Sequence, residues 1–255
     1  MTIENQTYVS EKIKKFLELN NINIVNKSNL YSNENSLVKL AVFMGDNIIY
    51  RKSIFKIIKN NLAPVKTFNV SLKSFSEPEK KMLFEFLYLL KNGNLISEYN
   101  LSKNFDCVIV HMIRSSLTRN FLSGLWFEVY TKEKILNKIK DHCSEADYSL
   151  ETNVRIKMPD GSSGEIDMIL AINDEMYFFE MKSGKIIRHC KSFRKLINCL
   201  KMKVKNNFMI LLEGTENYMN NISGIGFKTL NFENFYVNFG EYIKMPTFQE
   251  PAYEI

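Results

Sequence analysis

The pattern of apolar and polar residues predicts alternating helices and strands in the first half of the chain. Helical spacing of apolar residues covers residues 9–20 and 46–61, and another helix is predicted from residue 77 to residue 90. The run Ser76-Glu77-Pro78-Glu79 is typical of a helix start, because a capping hydroxyl precedes a proline in the first turn. Short apolar runs typical of strands cover residues 22–26, 66–72, 96–101 and 105–112.

The second half has a clearer order of elements. An amphipathic helix is predicted over residues 121–139, and alternation predicts a strand over residues 151–158. Two apolar runs within residues 164–184 are joined by the polar Asn173-Asp174-Glu175, which predicts a tight β-hairpin. A helix over 185–204, an apolar strand over 208–212, and a last strand and helix follow. The pattern therefore predicts an α/β protein.

The end of the hairpin carries charged residues on an otherwise apolar strand. Glu180 and Lys182 project from one face, because side chains alternate along a strand. Asp167, on the neighbouring strand, can supply a second carboxylate to the same place. Two oxygen ligands suit Mg²⁺, and the lysine can stabilise charge developing on a phosphate. The alternative is a salt-bridged hairpin end of little energetic value, but the apolar residues on both faces favour a buried central strand.

These residues resemble the signature of the PD-(D/E)XK nuclease superfamily, in which an Asp, a hairpin turn and Glu-x-Lys follow one another. The resemblance implies a restriction-endonuclease-like mixed sheet flanked by helices and a catalytic set of Asp167, Glu180 and Lys182. It also implies Mg²⁺ or Mn²⁺ as cofactor, held by the two carboxylates and the backbone carbonyl of Met181. A glutamate on the first helix often joins the metal cluster in such nucleases, which makes Glu128 a further catalytic candidate. The other reading of Glu128 is a surface ion pair with Lys132.

Three segments also resemble the nuclease domain of CARF-linked ancillary nucleases of type III CRISPR systems. They are Leu125-Trp126-Phe127-Glu128, Gly164-Glu165-Ile166-Asp167 and Glu180-Met181-Lys182-Ser183-Gly184. Glu165 is a second-tier candidate on this basis. The resemblance covers about residues 113–215, so we predict a nuclease-like domain over 113–255, preceded by a smaller α/β region of unknown role over 1–112. A Gly-rich phosphate-binding turn is not evident in that first region.

Positive charge is concentrated directly after the hairpin. The net charge is +6, and residues 182–205 contain nine Lys or Arg and no Asp or Glu. A patch of one sign is what a polyanionic partner requires, whereas the alternative is an ordinary solvated helix face. The residues predicted to contact nucleic acid are Lys185, Arg188, Lys191, Arg194 and Lys195.

The remaining features exclude other classes. Apolar stretches are too short for a transmembrane helix, and the N-terminus lacks the pattern of a secretory signal. The four cysteines lack metal-type spacing, which favours reduced thiols in a cytoplasm. A nucleophile elbow of the GxSxG type is also missing, so an acyl hydrolase has little support.

The sequence thus predicts a metal-dependent endonuclease that cleaves DNA or RNA, with antiviral defence as the setting implied by the CRISPR resemblance. Two alternatives stay open. One is a non-catalytic subunit that binds nucleic acid, although such a subunit would be free to lose the three charged residues. The other is a junction-resolving or recombination nuclease, a type of enzyme that often works as a dimer. A homodimer is also an expected assembly of this protein under the leading hypothesis.

Overall fold

The computed structural model describes residues 9–27, 35–51, 53–61, 67–144, 147–184, 187–201, 204–212 and 226–245. The chain divides into two compact units. The large-sheet unit comprises Met1–Leu30 and Lys134–Ile255, and the small-sheet unit comprises Tyr31–Glu133. Among the described residues, none of the helices combines the length and the apolar character needed to cross a membrane.

Both strands and helices occur throughout the described chain, as the sequence pattern predicts. The strands are β1 Asn23–Lys27, β2 Thr67–Ser71, β3 Ile96–Leu101, β4 Cys107–Met112, β5 Tyr148–Lys157, β6 Ser163–Ile172, β7 Glu175–Lys182, β8 Asn207–Leu211 and β9 Lys228–Asn231. The α-helices are α1 Glu11–Leu19, α2 Asn35–Asp46, α3 Phe55–Asn60, α4 Glu77–Asn92, α5 Ser116–Asn120, α6 Trp126–Lys140, α7 Ile187–Leu200, α8 Phe232–Val237 and α9 Phe239–Tyr242. Short 3-10 turns span Ile48–Arg51 and Val204–Asn206, and a π-helical turn spans Phe121–Leu125.

The large-sheet unit contains a mixed six-stranded sheet in the order β1-β5-β6-β7-β8-β9. The pairs from β1 to β7 are antiparallel, and β7, β8 and β9 are parallel to one another. The β6–β7 hairpin turns on Asn173 and Asp174, whose φ angles of 48° and 60° are those of a two-residue type I′ turn. The predicted mixed sheet flanked by helices is therefore confirmed.

Apolar packing covers both faces of this sheet. On one face Phe178 belongs to a buried cluster that includes Ile13 of α1 and Phe193 of α7. Its neighbour Phe179 points the opposite way, and its ring lies 5.8 Å from that of Phe235 in α8. Every residue of β8 is buried, as expected for a central parallel strand. The hairpin therefore lies in the middle of a layered core.

The small-sheet unit contains a three-stranded antiparallel sheet in the order β2-β4-β3. Its helices pack through aromatic rings, with Phe86 of α4 lying 4.6 Å from Phe55 of α3 and 6.1 Å from Phe43 of α2. The predicted start of α4 is confirmed by a capping box, in which the backbone N–H of Ser76 donates to Glu79 Oε2 at 3.0 Å.

The division into units differs from the predicted boundary at residue 112. Strand β1 pairs with β5, and Leu17 of α1 is fully buried in the core of the large-sheet unit. The first segment of the chain therefore belongs with residues 134–255. Composition along the chain does not reveal this arrangement, because it depends on pairing between segments that are distant in sequence.

Two predicted helices are interrupted in the structure. The segment 46–61 forms a 3-10 turn followed by the short α3, rather than one continuous helix. The helix predicted over 121–139 begins as α5 at Ser116 and passes through the π-helical turn before α6. The apolar spacing is similar in all three helix types, so periodicity alone does not separate them.

Candidate active site

The candidate site lies where two strands of the central sheet separate. The β6–β7 ladder runs from Ile172–Glu175 to Met168–Phe179, while β7 remains paired with β8 as far as Lys182. Beyond the ladder, the backbone N–H of Met181 donates to Asp167 Oδ2 at 2.9 Å. A side-chain carboxylate thus takes the position of a ladder acceptor, which satisfies a buried N–H and fixes the orientation of Asp167.

We call the place where β6 and β7 separate the fork. Three residues predicted for the site come together there. Lys182 Nζ lies 2.8 Å from Asp167 Oδ2 and 2.8 Å from Glu180 Oε1. Asp167 and Glu180 are only 7% and 8% exposed. The expected convergence on one side of the hairpin is therefore observed. The alternative hypothesis of a salt-bridged hairpin end also requires these ion pairs. They are buried, however, and so differ from surface ion pairs, which contribute little to stability.

The electrostatic balance of the fork favours an additional cation. Burial, and secondarily the negative charge of Asp167, raise the pKa of Glu180 to about 7, despite the opposing effect of Lys182. Burial alone would lower the pKa of Lys182, but attraction to Asp167 and Glu180 outweighs it and the pKa is raised. One ammonium group therefore does not fully compensate two buried carboxylates.

The donor set fits a hard divalent cation. Among the described residues, groups of three or more His, Cys, Asp or Glu side chains that could hold a metal are not found. A metal ion here would use two carboxylates, a backbone carbonyl and water, which is the pattern that Mg²⁺ accepts. The carbonyl of Met181, whose side chain is buried, remains the predicted third ligand.

Glu165 and Glu128 are placed differently from the central three residues. Glu165 is exposed on β6, and its Oε2 lies 3.3 Å from Nε of Arg155 on β5. Its negative charge also contributes to the raised pKa of Glu180. Glu128 is half-buried in α6 and belongs to the small-sheet unit, so its role in the site stays a prediction.

The basic helix predicted to contact nucleic acid is α7. Lys191 and Arg194 are exposed on it. Lys195 Nζ instead lies 2.6 Å from Asp160 Oδ2 in the β5–β6 turn and donates to Ser162 Oγ at 2.8 Å. Although residues 182–205 contain no Asp or Glu, an acidic residue outside this segment therefore pairs with Lys195. Of the other predicted residues, Lys185 lies outside the described residues, and the side chain of Arg188 is not described.

A pocket of about 210 Å³ adjoins the fork, and sequence reasoning missed it. Glu180 contributes to its lining, together with residues of the β5–β6 turn and of α7. The polar run after Met158 predicts a turn, but no periodic signal indicates that Ser162 of this turn contacts Lys195 of α7.

Comparison with known proteins gives the class of this domain. Residues 124–234 match the family model of the nuclease-related domain, NERD. This segment includes the whole candidate fork. Over this segment, the match confirms the resemblance to the PD-(D/E)XK nuclease superfamily. No curated protein matches the chain by sequence.

Two solved structures share the fold. One is protein VC1899 from Vibrio cholerae, with a TM-score of 0.60 and 13% identity over 91% of this chain. The other is Can2 from Sulfobacillus thermosulfidooxidans in complex with cyclic tetra-adenylate, with a TM-score of 0.62 and 13% identity over 90% of this chain. The matched regions are 61% and 60% of those structures, so this chain spans about three fifths of their length. In fold, the likeness agrees with the expected relationship to CARF-linked nucleases.

Proposed function

We propose that the protein is a metal-dependent endonuclease that hydrolyses phosphodiester bonds of DNA or RNA. The observation that carries this proposal is the buried Lys182 ammonium, which lies 2.8 Å from a carboxylate oxygen of both Asp167 and Glu180. The fork lies inside the segment that matches the nuclease-related domain. A purely structural ion pair does not need two carboxylates against one lysine, because the second carboxylate adds repulsion.

Asp167 and Glu180, with the carbonyl of Met181, would hold Mg²⁺ or Mn²⁺. When bound, the ion supplies Lewis acidity and a water of lowered pKa. The N–H of Met181 and the ammonium of Lys182 both donate to Asp167 and hold its carboxylate in position. Lys182 is then placed to stabilise negative charge that develops on the scissile phosphate. Burial of the fork strengthens these interactions, because charges interact more strongly in a low dielectric.

The α7 helix supplies the proposed contact with the substrate backbone. Lys191 and Arg194 are exposed and therefore accessible to phosphates. Phosphate contacts position a nucleic acid without reading its sequence. Lys185, Arg188 and Lys195 remain predicted contacts with nucleic acid, although Asp160 neutralises part of the charge of Lys195.

The decisive test incubates the purified protein with single- and double-stranded DNA and RNA, with Mg²⁺, Mn²⁺ or EDTA. We expect cleavage with a divalent ion and none in EDTA. Asp167→Ala and Glu180→Ala should each abolish cleavage, whereas Glu241→Ala, which removes an exposed carboxylate from α9, should not. Wild-type cleavage by either site variant would contradict the site. Binding of nucleic acid without cleavage under all conditions would favour the non-catalytic subunit.

The defence setting and its activator are tested in the same assay. Can2 was solved with cyclic tetra-adenylate, and its fold covers 90% of this chain. On this basis and on the sequence resemblance, we place the protein in antiviral defence and expect cyclic tetra-adenylate to raise the cleavage rate. An unchanged rate across a concentration series would remove the activator from the proposal and leave the nuclease assignment intact. Sedimentation of the same sample tests the predicted homodimer.

A further inference from the structure

The pocket beside the fork is not used by the proposed metal and lysine chemistry. We propose that it receives the base of a nucleotide next to the scissile phosphate, so that the substrate is single-stranded nucleic acid. This inference rests on the proposed nuclease function and names its substrate class.

The pocket is continuous with the candidate site. Glu180 lines it and also accepts a hydrogen bond from Lys182 at the fork. The opposite wall comes from α7, the helix that presents Lys191 and Arg194. A strand whose phosphates contact α7 and whose scissile bond reaches Glu180 therefore passes the mouth of the pocket.

The size of the pocket fits one small ring system. Its volume is about 210 Å³. A cavity of about 150 Å³ accepts a benzene ring, whereas sites for drug-sized ligands occupy roughly 300–1,000 Å³. A single nucleobase lies between these limits, and a base pair does not fit.

The lining suits a flat ring with a polar edge. Ile156, Phe193 and Leu196 are buried and provide apolar surface for the faces of a ring. Ser192 and Lys195 can donate to carbonyl oxygens or ring nitrogens, and Glu180 can accept from an exocyclic amine. The contacts of Lys195 with Asp160 and Ser162 hold its ammonium group on the wall of the pocket.

Occupation of this pocket selects the strand state. A base within a duplex is stacked and paired, and turning it out of the duplex would weaken binding by about a hundredfold. A base in a single strand is already free to turn outward. The pocket therefore favours single strands for a geometric reason that is independent of phosphate charge.

The test measures binding in EDTA, where cleavage is absent. Short fluorescent single strands of DNA and of RNA are compared with strands that lack one base at successive positions. We expect one position at which loss of the base weakens binding about fivefold or more, the effect of losing one stacked base. DNA and RNA are measured separately, so the preferred sugar follows from the same data.

A pocket-filling variant gives the second arm of the test. Ser192→Phe places a ring in the pocket, and Asn198→Phe places the same ring on an exposed position of α7 outside it. Ser192→Phe should bind the intact strand as weakly as the wild type binds the abasic strand. Removal of the base from the strand should then not weaken binding by this variant any further. Asn198→Phe should behave as the wild type. Thermal melts establish that both variants are folded, and if Ser192→Phe does not fold, the abasic series on the wild type decides.

The outcomes separate this inference from the proposed function. Equal binding of all abasic strands, or a folded Ser192→Phe that retains the base effect, would overturn the pocket proposal even if metal-dependent cleavage is observed. Absence of binding to any single strand would also overturn it. Base-dependent binding without cleavage in Mg²⁺ or Mn²⁺ would support the pocket and overturn the nuclease function instead. When cleavage occurs, the cut should lie beside the sensitive base.

Discussion

A lysine held between two buried carboxylates is both a catalytic candidate and an internal counterion. Lys182 contacts Asp167 and Glu180 at equal distances of 2.8 Å, and its side chain is 16% exposed. An ammonium group in this position neutralises charge that a metal ion would otherwise neutralise. Lys182 therefore stabilises the fork, and in the proposed site it would compete with the metal ion for the same carboxylates.

This competition predicts opposite effects of Lys182→Met on stability and on metal affinity. Without divalent ions, the variant should lose about 3–5 kcal/mol, because two buried carboxylates keep no shared partner. It should bind Mn²⁺ more tightly than the wild type and regain stability when Mn²⁺ is added. Thermal melts and calorimetric titration measure the two quantities. The control is Lys73→Met, whose exposed ion pair with Asp106 should contribute little to stability. Unchanged or weaker Mn²⁺ binding by Lys182→Met would refute the competition.

The raised pKa of Glu180 predicts a pH dependence of stability in the metal-free protein. The folded-state pKa is about 7, above the unfolded value near 4.5, so the folded state binds the extra proton between these limits. This contribution to stability is fully present below about pH 4.5 and is lost as the pH rises to about 7, by an amount on the order of 3 kcal/mol. Glu180→Gln carries no titrating group and should lack this part of the profile. The measurement is the free energy of unfolding of the wild type and of Glu180→Gln, from denaturation curves between acidic and neutral pH in EDTA. Identical pH profiles for these two proteins would contradict the prediction.

At the scale of elements, α7 is the proposed contact with the substrate backbone. Replacement of Lys191 and Arg194 by Gln should weaken nucleic-acid binding at low salt and flatten the plot of log affinity against log salt. Each lost phosphate contact should reduce the slope by roughly 0.7–0.9, because fewer counterions are released. Binding measured at several salt concentrations checks this. Lys91→Gln, at the exposed end of α4, is the control.

A smaller effect is expected for Lys195→Gln, because Asp160 already compensates its charge at 2.6 Å. If the double variant leaves the slope unchanged, the binding surface lies elsewhere. The basic residues Lys56 and Lys59 near α3 are then the next candidates.

Several elements could be predicted from the sequence because their signals are local. The start of α4 follows from a capping motif, and the strand β8 from an unbroken apolar run. The hairpin and the alternation of its side chains place Asp167, Glu180 and Lys182 together, and the structure agrees. Each of these inferences uses residues close in sequence and a fixed side-chain period.

The features that escaped prediction depend on contacts between distant segments. The ion pair of Lys195 with Asp160 joins α7 to the β5–β6 turn, and the pocket exists only because these two elements face each other. The split of the 46–61 segment into a 3-10 turn and α3 is a matter of packing, since the apolar spacing tolerates either form.

At the scale of the whole molecule, the core of the large-sheet unit depends on the first helix of the chain. Leu17 of α1 is fully buried, whereas Leu19 in the same helix is 75% exposed. Leu17→Ala should therefore destabilise the unit by about 2–5 kcal/mol, and Leu19→Ala should change stability by less than about 0.5 kcal/mol. Chemical denaturation followed by fluorescence measures both. Equal effects of the two variants would contradict the placement of α1 in this core.

The pairing of β1 with β5 has a consequence for synthesis on the ribosome. Strand β1 emerges early, but its partner residues, from Lys157 back to Val154, are made only after the entire small-sheet unit. Until then β1 is a strand with open hydrogen-bonding groups, the kind of segment that pairs with other chains. The large-sheet unit therefore cannot fold to completion in the order in which its residues are synthesised. In the nascent chain, β1 therefore stays without its partner strand while Tyr31–Glu133 is translated. The sheet that carries the fork is completed only after that.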